Sequence, residues 1–144
     1  MRLRTTDPWR SADEYGRSLR ALTINLLVRD IENALVFQRE VLGATVVYSD
    51  PDFAVLKGFD AEWMLHADHT YSEHILGQVV AAAKQRGVGI ELRLHSRDPD
   101  EAEAAARQLG FKVLAVAADK PHGLREAFLM DADGYVWVPD VHLK

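Results

Sequence analysis

The 144-residue sequence predicts an α+β fold built from two tandem βαβββ modules. Three observations predict it. Residues 22–28 and 90–95 alternate apolar and polar side chains, and each stretch runs into a helix start. Each helix pattern is followed by three short strand patterns separated by turn residues. Finally, Arg29-Asp30 lies over Arg97-Asp98 at an offset of 68 residues, while the helix stops Leu42-Gly43 and Leu109-Gly110 lie at an offset of 67. A repeat at this scale decides the architecture.

The elements follow in order. Residues 1–18 read as an arm, broken by Asp7-Pro8 and lacking a period, with Trp9 and Tyr15 as residues that dock it on the body or on a partner. Leu22, Ile24, Leu26 and Val28 are the buried side of the first strand, and Thr23, Asn25 and Leu27 the other side. Asp30 caps a helix whose stripe is Ile31, Ala34, Leu35 and Leu42, and Gly43 stops it. Strands are expected over 45–48, 53–56 and 63–66, around turns at Asp50-Pro51-Asp52 and 58–60. Residues 75–86 carry a helix pattern closed by Gly87, which Gly77 weakens. In the second half Ile90, Leu92 and Leu94 alternate with Glu91, Arg93 and His95. Asp98 caps the next helix, with Pro99 at its first position. Its stripe is Ala102, Ala105, Ala106 and Leu109, and Gly110 stops it. Strands are expected over 112–116, 126–130 and 135–138, the last two joined by an Asp133-Gly134 hairpin. The organisation is thus an arm over 1–18 and one domain over 19–144, with modules at about 20–70 and 88–142 and a linker over 71–87.

Composition bounds the function. Seventeen Lys and Arg against 22 Asp and Glu give a net charge of −5, which argues against nucleic acid as a partner and is compatible with neutral or cationic small ligands. There is no cysteine, hence no disulfide, thiolate metal site or cysteine nucleophile. No apolar run reaches the roughly 18 residues of a membrane span, and the first 20 residues lack a secretory apolar core. The expected compartment is the cytoplasm.

Three stretches resemble the vicinal oxygen chelate superfamily, the glyoxalase, bleomycin-resistance and extradiol dioxygenase group. They are Leu26-Leu27-Val28-Arg29-Asp30 followed by Ala34, Phe37, Gln38, Val41, Leu42 and Gly43; the hairpin strands 53–56 and 63–66; and Gly123-Leu124-Arg125-Glu126-Ala127-Phe128 with Asp131-Ala132-Asp133-Gly134-Tyr135-Val136-Trp137. The family's proline is Ala132 here. The resemblance covers roughly residues 20–140 and implies a curved mixed sheet, helices on one face and a ligand cleft on the other.

The resemblance also implies where a site would lie. Family metal ligands map onto Thr23, His66, Glu91 and Val138, of which only His66 and Glu91 have ligand chemistry. A catalytic divalent site takes about three protein ligands. No cofactor is therefore expected; the alternative is Zn, Ni, Mn or Fe held by His66 and Glu91. His95 lies about 13 Å along the strand from Glu91, at roughly 3.3 Å per residue, too far to share one ion directly. Without metal, His66 and Glu91 form either a general base with its orienting carboxylate or a structural hydrogen bond. Cleft-facing candidates for ligand binding are Thr23, Asn25, Leu27, Met64, Arg93, His95, His122 and Val138. His69 and Tyr71 are lid candidates, and Trp63 and Trp137 belong to the core by their parity. The function expected is metal-free binding of a small molecule in the cleft. The competing readings are a glyoxalase- or dioxygenase-like enzyme (lyase, isomerase or ring-cleaving) and a homodimer-forming domain with a vestigial cleft. A homodimer is expected in each case.

Overall fold

The computed structural model describes residues 1–144. Two four-stranded mixed sheets carry the chain. The first contains β1 (Asn25–Val28), β2 (Thr45–Ser49), β3 (Phe53–Gly58) and β4 (Ala61–Ala67), in the spatial order β1-β4-β3-β2. The second contains β5 (Leu92–His95), β6 (Lys112–Asp119), β7 (Leu124–Met130) and β8 (Val136–His142), in the order β5-β8-β7-β6. The orders are the same, with a parallel pair at one edge of each sheet. The repeat legible in the sequence is therefore a repeat of topology.

Four helices accompany the sheets: α1 (Ala12–Ser18), α2 (Ile31–Val36), α3 (Ile75–Ala82) and α4 (Pro99–Gln108). Asp30 caps α2 by accepting from the Asn33 amide, and Asp98 caps α4 by accepting from Asp100 and Glu101. Gly43 and Gly110 end the two repeat helices at φ of 70° and 80°, where a Cβ would be strained.

The repeat is imperfect by one residue, and the structure places that residue. After α2 the chain continues as a π-helical turn over Phe37–Val41, in which the Leu42 amide reaches back to the Phe37 carbonyl at 3.1 Å. The second module has one residue fewer between cap and stop, and no such turn. The wider turn absorbs the extra residue while still burying Phe37, Gln38 and Val41.

Both modules bury their helix-facing sides in one core of 22 residues. Trp63 and Trp137 meet there at 5.5 Å between ring centroids, and Phe37 meets Phe111 edge to face at 5.0 Å. Their indoles need partners indoors: Trp63 donates to buried Gln38 at 2.8 Å and Trp137 to Asp131 at 3.0 Å. The modules are also tied by polar bonds. Tyr135 donates its hydroxyl to the Leu27 carbonyl at 2.8 Å, and the Arg29 amide donates to Asp133 at 2.9 Å. The opposite sheet faces look away from this core.

Four expectations are corrected. The first strand begins at Asn25, because Ala21 turns the chain at φ 53° and pairing with β4 starts at Asn25 opposite Met64; Leu22 is consequently 85% exposed. The second module's strand begins at Leu92, leaving Ile90 exposed. The arm contains a helix, α1, capped by Ser11. The linker helix α3 ends at Ala82, short of Gly87, and buries none of its residues. No helix is long and apolar enough to cross a membrane.

Candidate functional site

Strand register decides which side chains share the open face of the first sheet. Asn25 stands opposite Met64, Leu27 opposite His66, Phe53 opposite His66 and Val55 opposite Met64. Asn25, Leu27, Met64 and His66 thus share one face, as the alternation requires. That face is not bare. The arm folds back over it, and Tyr15 of α1 packs on Val55 and Met64, with Leu19 and Phe53 against them. Trp9 stacks on Tyr48 at 4.7 Å and 16°.

The arm is fastened by Asp52, a buried residue in the turn before β3. Its carboxylate accepts from the Leu3 amide at 2.7 Å, the Arg4 amide at 3.2 Å and His69 Nε2 at 2.7 Å. Burial alone would raise the Asp52 carboxyl; the hydrogen bonds from His69, Leu3 and Arg4 outweigh it and hold the group below the ordinary carboxylate range. Tyr15 donates to Glu62 at 3.1 Å, completing the second fastening.

Between arm and sheet lies a cavity of about 530 Å³, within the range of small-molecule sites. Its walls include Trp9, Tyr15, Phe53, Met64, His66 and Tyr71. The His66 ring lies 4.8 Å from that of Phe53 and 5.4 Å from that of Tyr71. Its Nδ1 is 2.6 Å from Asn25 Oδ1, and the Asn25 amide nitrogen donates to the Tyr71 hydroxyl at 3.0 Å. With the amide so oriented, Nδ1 carries the proton and Nε2 keeps its lone pair. Burial pushes the His66 pKa down, so the imidazole is neutral near pH 7. Asn25, not a carboxylate, orients this histidine.

The other candidates gather on the second sheet. Arg93 stands opposite Val138 and His95 opposite Asp140. Arg93 bonds Glu126 and, at 3.2 Å, Asp140, and it lies 3.6 Å from Glu91. His95 Nδ1 is 2.8 Å from Asp140, and His122 Nε2 is 3.2 Å from Glu126. Asp140 and Glu126 are buried, whereas both histidines are mostly exposed. Burial would raise the Glu126 carboxyl, but the bonds from Arg93 and His122 outweigh it and hold it ionised. Arg93, His95, His122 and Val138 are therefore brought together, around two carboxylates that the strand pattern did not single out.

His66 and Glu91 are not brought together. Glu91 precedes β5, half exposed, and its charged neighbour is Arg93. Thr23 precedes β1 and borders a separate depression with Ile24, Lys57 and Glu62. The four places implied for metal ligands therefore do not fit a metal: Thr23 and Val138 offer weak or no ligand atoms, and Glu91 stands beside Arg93, away from the free His66 Nε2. No three His, Asp or Glu side chains are grouped so as to hold an ion. His69 does not act from a free lid; it clamps Asp52, while His74 caps α3 by accepting from the Leu76 amide.

Sequence reasoning missed Arg4, Phe53 and Asp52 as site residues. Arg4 and Phe53 line the cavity only because the arm returns to the sheet. The sole signal was a pair of aromatics, Trp9 and Tyr15, in an otherwise polar arm.

Comparison with known proteins places this geometry. No family model matches the chain, and no curated protein matches it by sequence. Solved structures do. A glyoxalase-related enzyme from Fulvimarina pelagi superimposes with a TM-score of 0.68 at 20% identity, covering 85% of this chain and 88% of its own. A glyoxalase/bleomycin resistance protein/dioxygenase family enzyme from Burkholderia phytofirmans gives 0.68 at 19%, covering 84% and 97%. A glyoxalase/bleomycin resistance protein/dioxygenase from Nocardioides gives 0.62 at 22%, covering 92% and 93%. At these identities the likeness is one of fold, and the chain has the paired βαβββ fold of the glyoxalase/bleomycin resistance/dioxygenase proteins, that of the vicinal oxygen chelate superfamily.

Proposed function

We propose that this protein binds a small organic molecule in the cavity between its N-terminal arm and the open face of the first sheet. One observation carries the reading: a cavity of about 530 Å³ walled by aromatic rings, with a neutral histidine whose Nδ1 proton is fixed and whose Nε2 is free. Apolar walls with a few placed polar groups are the usual make-up of a ligand site. The binding needs no metal.

Gly16 provides the test. It lines the cavity, and a Cβ added there meets nothing within 4 Å. We expect the indole of Gly16→Trp to obstruct the cavity, because the position lines it and a Cβ there finds open space. Saturation-transfer difference NMR against a fragment library should find binders of the native protein that the variant loses. Fragments bound equally by both proteins would overturn the reading.

A second reading, proton transfer by His66, is favoured by the same imidazole. A neutral ring with its Nδ1 proton held is a base at Nε2. In that case His66→Gln abolishes turnover of a bound substrate while leaving its affinity within a few fold.

A further inference from the structure

The charge of the cavity opposes the charge of the chain. The whole sequence carries −5. Among the side chains lining the cavity, the cations are Arg2, Arg4 and Arg10, and the one carboxylate is Asp52. That carboxylate is already engaged by two backbone amides and His69. Whole-chain charge says little about a cleft, and here it points the wrong way.

Arg4 is the informative cation. Its side chain is 20% exposed, and its nearest carboxylate, Asp50, stands 3.8 Å away. Asp50 is meanwhile taken by other donors: the Tyr48 hydroxyl at 2.7 Å and the amides of Asp52 and Phe53 at 2.8 and 2.9 Å. The Arg4 guanidinium makes a charge contact but donates no hydrogen bond within the chain. Its field reaches His66, where it helps keep the ring neutral, after the larger effect of burial and against Asp50. A guanidinium offers five N–H groups in a planar fork that matches a carboxylate. Here that fork stands in a cavity also lined by the rings of Trp9, Tyr15, Phe53 and Tyr71, with Arg10 lying 5.8 Å over Trp9.

We infer that the ligand of this cavity is an aromatic carboxylate, an inference that rests on the cavity being a binding site. The ring lies against the cluster that Trp9, Tyr15 and Phe53 form by packing on one another, and the carboxylate takes the donors of Arg4. A cationic ligand would meet three arginines. A neutral aromatic would fill the same walls but leave the Arg4 fork without an acceptor, forgoing charge-assisted bonds.

Three probes of one shape separate the classes: 2-naphthoate, 2-naphthylmethanol and 2-naphthylmethylammonium, titrated calorimetrically into the full chain at neutral pH. We expect 2-naphthoate to bind at least tenfold more tightly than the alcohol, and the ammonium to bind least. Arg4→Met should bring 2-naphthoate down to the alcohol's affinity, leave the alcohol unchanged and keep the native circular dichroism. Arg4→Lys should fall between. If Arg4→Met does not fold, the salt dependence of the native protein decides: 2-naphthoate weakens as salt rises and the alcohol does not. Equal affinities for acid and alcohol, both lost in Gly16→Trp, would overturn the carboxylate inference while leaving the cavity a binding site. Binding of no probe would overturn both.

Discussion

At the scale of single residues, His66 shows how far a sequence can point and where it stops. Its place on the open face followed from the alternation of β4, as did that of Met64, and the faces of Asn25 and Leu27 followed from the alternation of β1. What holds its ring did not follow. The ligand places implied by the family resemblance put Glu91 beside it, whereas parallel pairing with β1 puts Asn25 within 2.6 Å. Parity assigns a face but not which neighbour on that face is close enough to bond. The consequence for pH is specific. The folded value of His66 lies below the ordinary 6.5, so the unfolded chain takes the proton more readily. The stabilisation linked to the neutral ring is present above 6.5 and is lost as pH falls below it. Nitrogen-detected NMR should find His66 titrating below 6.5 and protonated on Nδ1 when neutral. A midpoint at or above 6.5, or a proton on Nε2, would contradict the assignment.

Elements were more legible than residues. Both repeat helices begin at their capping aspartates, because an N-cap is a local bond that needs no tertiary information. Their ends were less simple: the one-residue mismatch between the modules was countable, but its absorption in a π turn depends on packing Phe37 and Val41 together. The linker helix starts at Ile75 as its pattern indicates, and only its end, at Ala82, departs from the expectation. Gly77 counts against a helix by propensity, yet it sits inside α3 because a Cβ there would come 1.9 Å from the Tyr71 carbonyl oxygen. Gly77→Ala therefore sets two effects against each other. Helix propensity favours alanine by about 1 kcal/mol. The clash is with backbone, and it displaces Tyr71, a wall of the cavity. We expect the clash to win, giving a lower melting temperature and a changed environment for His66 and Tyr71 in NMR. A variant more stable than the native protein, with those resonances unmoved, would show that the contact relaxes freely.

For the whole molecule, the repeat predicted the topology of each sheet and left open what covers the sheet faces. The aromatic arm closes one of them within its own chain, a long-range return that no periodicity encodes. Its fastening on Asp52 sets the stability of this layer. The folded Asp52 carboxyl lies below the ordinary 3.8, so its contribution is present above that value and is lost as pH falls through the lower folded value. Asp52→Asn turns an amide toward donors and should cost about 2 kcal/mol, the scale of hydrogen bonds to a charged acceptor. Limited proteolysis of that variant should cleave the arm before the body, where the native protein is cut in both at similar rates. Equal resistance of the two proteins would mean that Trp9 and Tyr15 hold the arm unaided. The roof also has a kinetic consequence. Where a ligand's passage needs the arm to lift, the frequency of that local opening bounds both its entry and its escape. Ligands of very different affinity then share one ceiling on escape. The amides of Leu3 and Arg4, each bonded to Asp52, report that frequency directly through their exchange with deuterated solvent.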